Sequence, residues 1–252
     1  MKKWFGFAVI GLFATVAVGP VSAQTSDELK CEINASKVVA KFASAKGKCT
    51  AKCWSTERKG GSVDCDPTGG RDATTQACIN AAESNALAGQ AKKCTVDCPE
   101  CYSGGNCPSN AQTKVNTAES LFDTQDPNVH CNNTTVTDDE AKCEASAGKT
   151  LLKYVGALAK CSQKCNANAA KGKTDGSCSP PPGDTATAAC VSAADAKCAA
   201  GVDKKCVTVG ANPGCWPFAN GTQWCNTVKG IINGQYNSFF CETGSASGAF
   251  LE

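Results

Sequence analysis

Six cysteines occur in the same order twice along this chain. Cys31, Cys49, Cys53, Cys65, Cys78 and Cys94 return as Cys143, Cys161, Cys165, Cys178, Cys190 and Cys206, displaced by 112 positions, or 113 at Cys65/Cys178. The residues between them repeat as well: TSDELKCEINASKVVAKFASAKGKCTAKC over 25–53 is answered by TDDEAKCEASAGKTLLKYVGALAKCSQKC over 137–165. Such self-similarity means two copies of one supersecondary unit, each with its own cross-linkable residues.

Lys2 and Lys3 precede an apolar run from Trp4 to Val18, and Val21-Ser22-Ala23 offers small residues at a cleavage point. Residues 1–23 are expected to be a signal peptide; the run is too short for a membrane span. Export to a secreted or periplasmic location would make disulfides the default state of the 20 cysteines. Without residues 1–23 the chain has 229 residues and 23 charges of each sign. Neutrality argues against nucleic acid or an anionic membrane surface as partner, since both select clustered positive charge. No membrane anchor is expected after the leader.

Leu, Ile, Val and Phe make up only 30 of those 229 residues. A chain so poor in bulky apolar groups cannot offset its conformational entropy by burial alone. Cross-links lower the entropy of the unfolded state, by about 2–4 kcal/mol each. The composition therefore predicts a disulfide-rich fold of about ten bonds.

Each copy reads as a helical hairpin, which makes the fold class all-α. Thr25-x-x-Glu28 and Thr137-x-x-Glu140 are capping boxes. Cys31, Ala35, Val38, Phe42, Ala45, Cys49 and Cys53 then follow at spacings of three and four, one helical face. Lys37, Lys41, Lys48 and Lys52 fall off that face. Asp72 and Asp184 are N-cap candidates for the second helix, and Gly89 and Gly201 candidate stops. The organisation predicted is a leader (1–23), repeat 1 (24–95), a Cys-rich connector (96–136), repeat 2 (137–206) and an aromatic tail (207–252). Whether the hairpins join as a four-helix bundle is left open.

Folded antiparallel, a hairpin brings Cys31 beside Cys94 and Cys49 beside Cys78, leaving Cys53 for Cys65. The second copy would pair Cys143–Cys206, Cys161–Cys190 and Cys165–Cys178. This works only if the second helix ends before Cys94, because sixteen residues rotate a helix by about 1600° and would aim Cys78 and Cys94 differently. The remaining cysteines fall into two groups of even number: Cys98, Cys101, Cys107 and Cys131 in the connector, and Cys198, Cys215, Cys225 and Cys241 toward the tail. Cys198, where repeat 1 has Ala86, is expected to tie the tail onto repeat 2.

No catalytic constellation is visible. His130 is the only histidine and reads as a loop residue. The acids cluster at helix starts, where they complement the helix dipole. Neither Gly148-Lys149-Thr150 nor Gly172-Lys173-Thr174 has the glycine a phosphate loop requires. Cys98-Pro99-Glu100-Cys101, with Cys107 and Cys131, could form a tetrahedral metal site, and the turn-spaced pairs Cys49/Cys53 and Cys161/Cys165 could hold copper. Trp216, Trp224 and Tyr236 in the tail could form a binding surface for a protein or carbohydrate, or supply core. The expectation is a non-enzymatic secreted or periplasmic structural or interaction module without cofactor; a thiol-based copper or zinc binder is the alternative.

Overall fold

The computed structural model describes residues 25–94, 99, 102, 107–131 and 135–240. The leader, Cys98, Cys101 and Cys241 lie outside the described residues. Among the described residues the regular elements are seven α-helices: α1 (Ser26–Glu57), α2 (Ala73–Ala91), α3 (Cys107–His130), α4 (Asp138–Ala169), α5 (Thr185–Asp203), α6 (Gly221–Gly234) and the short α7 (Tyr236–Phe239). Among the described residues no helix is long and apolar enough to cross a membrane.

Local sequence starts these helices where the caps stand. Thr25 Oγ1 accepts from Glu28 N at 3.1 Å, and the Glu28 carboxylate accepts from Thr25 N at 2.7 Å. Thr137 and Glu140 repeat the arrangement at 3.3 and 2.7 Å. Two free amides are satisfied at each end in this way. Asp72 and Asp184 cap α2 and α5. Those helices run two residues past Gly89 and Gly201. Both glycines are close-approach positions rather than stops: a Cβ on Gly89 would lie 3.3 Å from Val38 Cγ2, and one on Gly201 2.8 Å from Thr150 Cγ2.

Cys94 and Cys206 lie in the turns just after α2 and α5, off the helix. Release from the helical rotation lets them reach back to α1 and α4. The structure joins Cys31–Cys94, Cys49–Cys78 and Cys53–Cys65, and likewise Cys143–Cys206, Cys161–Cys190 and Cys165–Cys178. Each hairpin is thus stapled at both ends and at its loop.

The first helices of the two repeats pack against each other, and α2 and α5 flank them on the outside. The α1–α4 pair is antiparallel. Gln163 Nε2 donates to Ser36 Oγ at 3.1 Å near one end, and Arg58 meets Glu144 at 3.3 Å near the other. The hairpins therefore join through one helix each, and four helices do not enclose a common core.

Two further helices complete the architecture. The Cys-rich connector is largely α3, with Pro127 in its last turn. Its Ala111, Val115, Ala118, Phe122, Asp126 and Val129 keep three- and four-residue spacing, a stripe that its Pro, Gly and Asn neighbours obscured. Helix α3 packs on α1 and α2, and α6 packs on α4 and α5. Each half is thus a three-helix unit, with the tail's α6 standing where α3 stands in the first half. Cys198 bonds Cys225 and staples α5 to α6. At the matching place in the first half, Ala86 shares an apolar cluster with Phe42 and Val115. The grouping of the other cysteines differs from expectation. Cys131 of the connector bonds Cys215 of the tail and links the halves, so the two groups do not pair wholly within themselves, although Cys198–Cys225 is internal to the tail group.

Candidate functional site: an apolar cleft between the halves

Helices α3 and α6 stand over the α1–α4 pair but are not closely packed on each other. The gap between them is a cleft with a cavity volume of about 380 Å³. Protein interiors are packed densely and rarely leave more than water-sized voids, whereas ligand sites are mostly apolar pockets of about 300–1,000 Å³.

The duplicated face of the repeat forms the cleft floor. Ser36, Val39, Ala40, Ala43 and Gly47 of α1 line it, and so do Gly148, Leu151, Leu152, Val155 and Ala159, each found 112 positions further on. One helix face, used twice in antiparallel sense, thereby makes a continuous floor. The first copy contributes small residues there and the second bulky ones. Leu121 and Phe122 of α3 and Ile231 and Ile232 of α6 form the sides, all half-buried. Outside the cleft, the exposed large apolar side chains among the described residues are Val207 and Val209.

The lining covers Ser36 to Ala51 on α1, Asn110 to His130 on α3 and Ala145 to Ser162 on α4. At a rise of 1.5 Å per residue these stretches are roughly 22–30 Å long. The cleft is a channel along the helices, with distinct ends.

At one end stands Lys114, buried in the wall. Its ammonium donates to the Ser238 carbonyl and lies 4.0 Å from the Tyr102 ring centroid and 5.2 Å from that of Phe239. Burial lowers its pKa to about 8, against the field of Glu32, which favours the charged form. Asn110, Thr113, Gln235 and Ser238 line the same end.

At the other end are Asp126, His130 and Trp224. Asp126 accepts from Thr50 Oγ1 at 3.2 Å and Trp54 Nε1 at 3.0 Å, and burial raises its pKa to about 6. His130 stacks on Trp54 with ring centroids 5.5 Å apart. Burial, helped by the nearby Arg58 guanidinium, lowers its pKa to about 3, so the imidazole is neutral. The expected loop histidine is in fact a core residue at the end of α3. Trp224 Nε1–H finds no acceptor among the described residues.

The metal candidates take a different form. Cys131 is disulfide-bonded to Cys215 and Cys107 is also disulfide-bonded, while Cys98 and Cys101 lie outside the described residues. Cys49, Cys53, Cys161 and Cys165 are all in disulfides. No free cysteine exists among the described residues. Sulfurs already bonded to each other do not supply thiolate ligands.

Of the two places open to the tail aromatics, they take the core. Trp224 and Tyr236 are buried, and Trp216 is half-buried with its Nε1–H donated to the Val129 carbonyl at 3.1 Å. Trp216 and Phe218 pack edge-on against Trp224, and Tyr236 accepts from Asn166 Nδ2 at 2.8 Å. These aromatics are core because the Ala-rich α5 has little bulk of its own to cover α4.

Several buried polar residues had no place in the sequence reading. Lys46 is fully buried in α1 and donates to Glu119 at 2.7 Å and Asp123 at 2.8 Å. Glu32 and Glu144, equivalent positions 112 apart, are both buried. The repeated Cys-Glu dipeptides, Cys31-Glu32 and Cys143-Glu144, were the available signal, since both glutamates adjoin the buried face. Desolvation raises the pKa of Glu144 to about 7, and the Arg58 guanidinium pulls the other way.

The chain matches no protein-family model, no curated protein and no solved structure.

Proposed function

We propose that this protein is an exported, non-enzymatic binding module whose disulfide-stapled helical repeats frame an apolar cleft for a small apolar ligand. The cleft carries the reading, through its volume of about 380 Å³ and its lining of Leu, Ile, Val, Phe and Ala side chains. Eight disulfides among the described cysteines suit an oxidising compartment, secreted or periplasmic. They also suit the cleft itself. Cross-linked outer helices support a scaffold that gives up packing between α3 and α6. The buried ionisable groups, Asp126 and His130, are held by Trp54, Thr50 and Arg58, which accords with a binding role in place of catalysis.

The test is titration of the native oxidised protein with the neutral apolar fluorophore N-phenyl-1-naphthylamine. Saturable binding at one site per chain is expected, and Ala43→Trp, which fills the channel at mid-length, should abolish it while the melting temperature stays near that of the parent. Absence of saturable binding, or equal binding by a folded Ala43→Trp variant, would overturn the reading.

A further inference from the structure

We infer that the ligand is a single-chain amphiphile with a carboxylate head, of the long-chain fatty acid class, its head at Lys114 and its chain directed toward His130. This rests on the proposal that the cleft is a binding site and specifies what enters it.

Shape is the first argument. The apolar lining runs on for roughly 24 Å between Lys114 and His130, a length and lining that suit an extended hydrocarbon chain. Small residues keep the channel open along α1, where Ala40, Ala43, Gly47 and Ala51 line it in succession.

Charge sets the direction. Among the described lining residues Lys114 is the cation and Asp126 the acid. They lie twelve residues apart on α3, roughly 18 Å. An anionic head is attracted to Lys114, which it shares with the field of the buried Glu32 behind the wall, and repelled by Asp126. A Lys ammonium has three donors; one is given to the Ser238 carbonyl. The ammonium also lies over the Tyr102 and Phe239 rings, and the side chains of Thr113, Asn110 and Gln235 line the same end. Beyond this end the wall is apolar through Ala118, Leu121, Phe122, Leu152 and Val155, so a charged group has no favourable station further in.

The experiment displaces bound N-phenyl-1-naphthylamine from protein stripped on a lipophilic resin, using hexadecanoate, hexadecan-1-ol and methyl hexadecanoate. Hexadecanoate should bind at least ten-fold tighter than either neutral compound. Lys114→Gln should remove that ten-fold preference and leave the alcohol within two-fold of its parent value. A hexadecanoic acid with a diazirine at its far carbon should cross-link within 125–130 or 145–151 of the unaltered protein, which decides the orientation even if the Lys114 variant does not fold. Equal affinity for acid and alcohol, an unchanged preference in Lys114→Gln, or cross-links at Ser36, Ser162 or Phe239 would overturn the headgroup assignment while fluorophore binding upholds the cleft. Failure of the fluorophore to bind would overturn both.

Discussion

Gly47 of the first repeat and Leu152 of the second meet where α1 crosses α4: a Cβ built on Gly47 would come to 2.8 Å from Leu152 Cδ2. Leu152 is half-buried and lines the cleft, so its side chain has somewhere to go. Gly47→Ala should therefore push Leu152 into the channel. Helix propensity favours the substitution by about 1 kcal/mol, and crowding opposes it by about 1–3 kcal/mol. Stability should fall by no more than about 2 kcal/mol while fluorophore affinity falls several-fold. Chemical denaturation and titration of the same variant separate the two effects, and unimpaired binding would show that Leu152 does not move inward.

Lys46 gives a prediction about α3. Its buried ammonium ties α1 to Glu119 and Asp123, and Arg71 reaches Asp123 at 2.6 Å from the other side. Lys46→Met leaves Glu119 without its cation. Breaking a buried pair on one side costs about 3 kcal/mol, and the partial exposure of both acids puts this case at the lower end. Adding Glu119→Gln to Lys46→Met should recover part of the loss. Urea unfolding of the single and double variants measures both, and equal stability of Lys46→Met and parent would exclude the anchoring role.

Acid lability should depend on His130. Its folded pKa of about 3 lies below the ordinary 6.5, so its contribution is complete above pH 6.5 and is lost as pH falls toward 3. Asp126 and Glu144 act in the opposite sense. Their folded pKa values, about 6 and about 7, lie above the ordinary carboxylate values, so their contribution is lost as pH rises through that range. The parent protein should consequently show a shallow pH dependence. His130→Phe, which keeps an aromatic ring against Trp54, should retain about 3 kcal/mol more of its stability than the parent on going from pH 6.5 to pH 4. Parallel stability curves for the two proteins would be incompatible with a neutral buried imidazole.

The bond between Cys131 and Cys215 bridges the halves across 84 residues of sequence. Peptide mapping without reduction should recover it as a cross-linked pair, along with Cys198–Cys225. Replacing Cys198 and Cys225 by Ala should cost about 3 kcal/mol, as expected for a loop of this length. The first half does without such a bond at Ala86, so the second half should then unfold before it. Recovery of Cys131 paired within the connector, or alkylated, would contradict the structure.

The hairpins could be read from the chain because their signals are local. Capping boxes at Thr25 and Thr137, the three-and-four spacing of Cys31 through Cys53, and the distance from each cysteine to the hairpin turn all depend on residues close in sequence. An antiparallel pair of helices of known rise has few ways to align its cysteines, which is why duplication and spacing suffice for the repeat disulfides. Helix α3 carried a weaker signal. Its apolar residues are few, and its flanking Pro, Gly and Asn resemble a loop until the stripe from Ala111 to Val129 is set against a partner.

Nothing in the sequence placed the cleft. It exists because two copies of one helix face meet antiparallel, and because α3 and α6 then pack on opposite flanks without closing on each other. Burial of His130, Lys46, Lys114, Glu32 and Glu144 follows from the same assembly, since whether a polar side chain meets water or another helix depends on contacts between residues distant in sequence. The Cys131–Cys215 bond is of this kind too: equal parity within each group of cysteines could not reveal that one member of each group would be carried to the other. Local periodicity and cap chemistry act over one or two helical turns and specify elements. The spaces left between elements, and the charges that line them, arise only when those elements are packed.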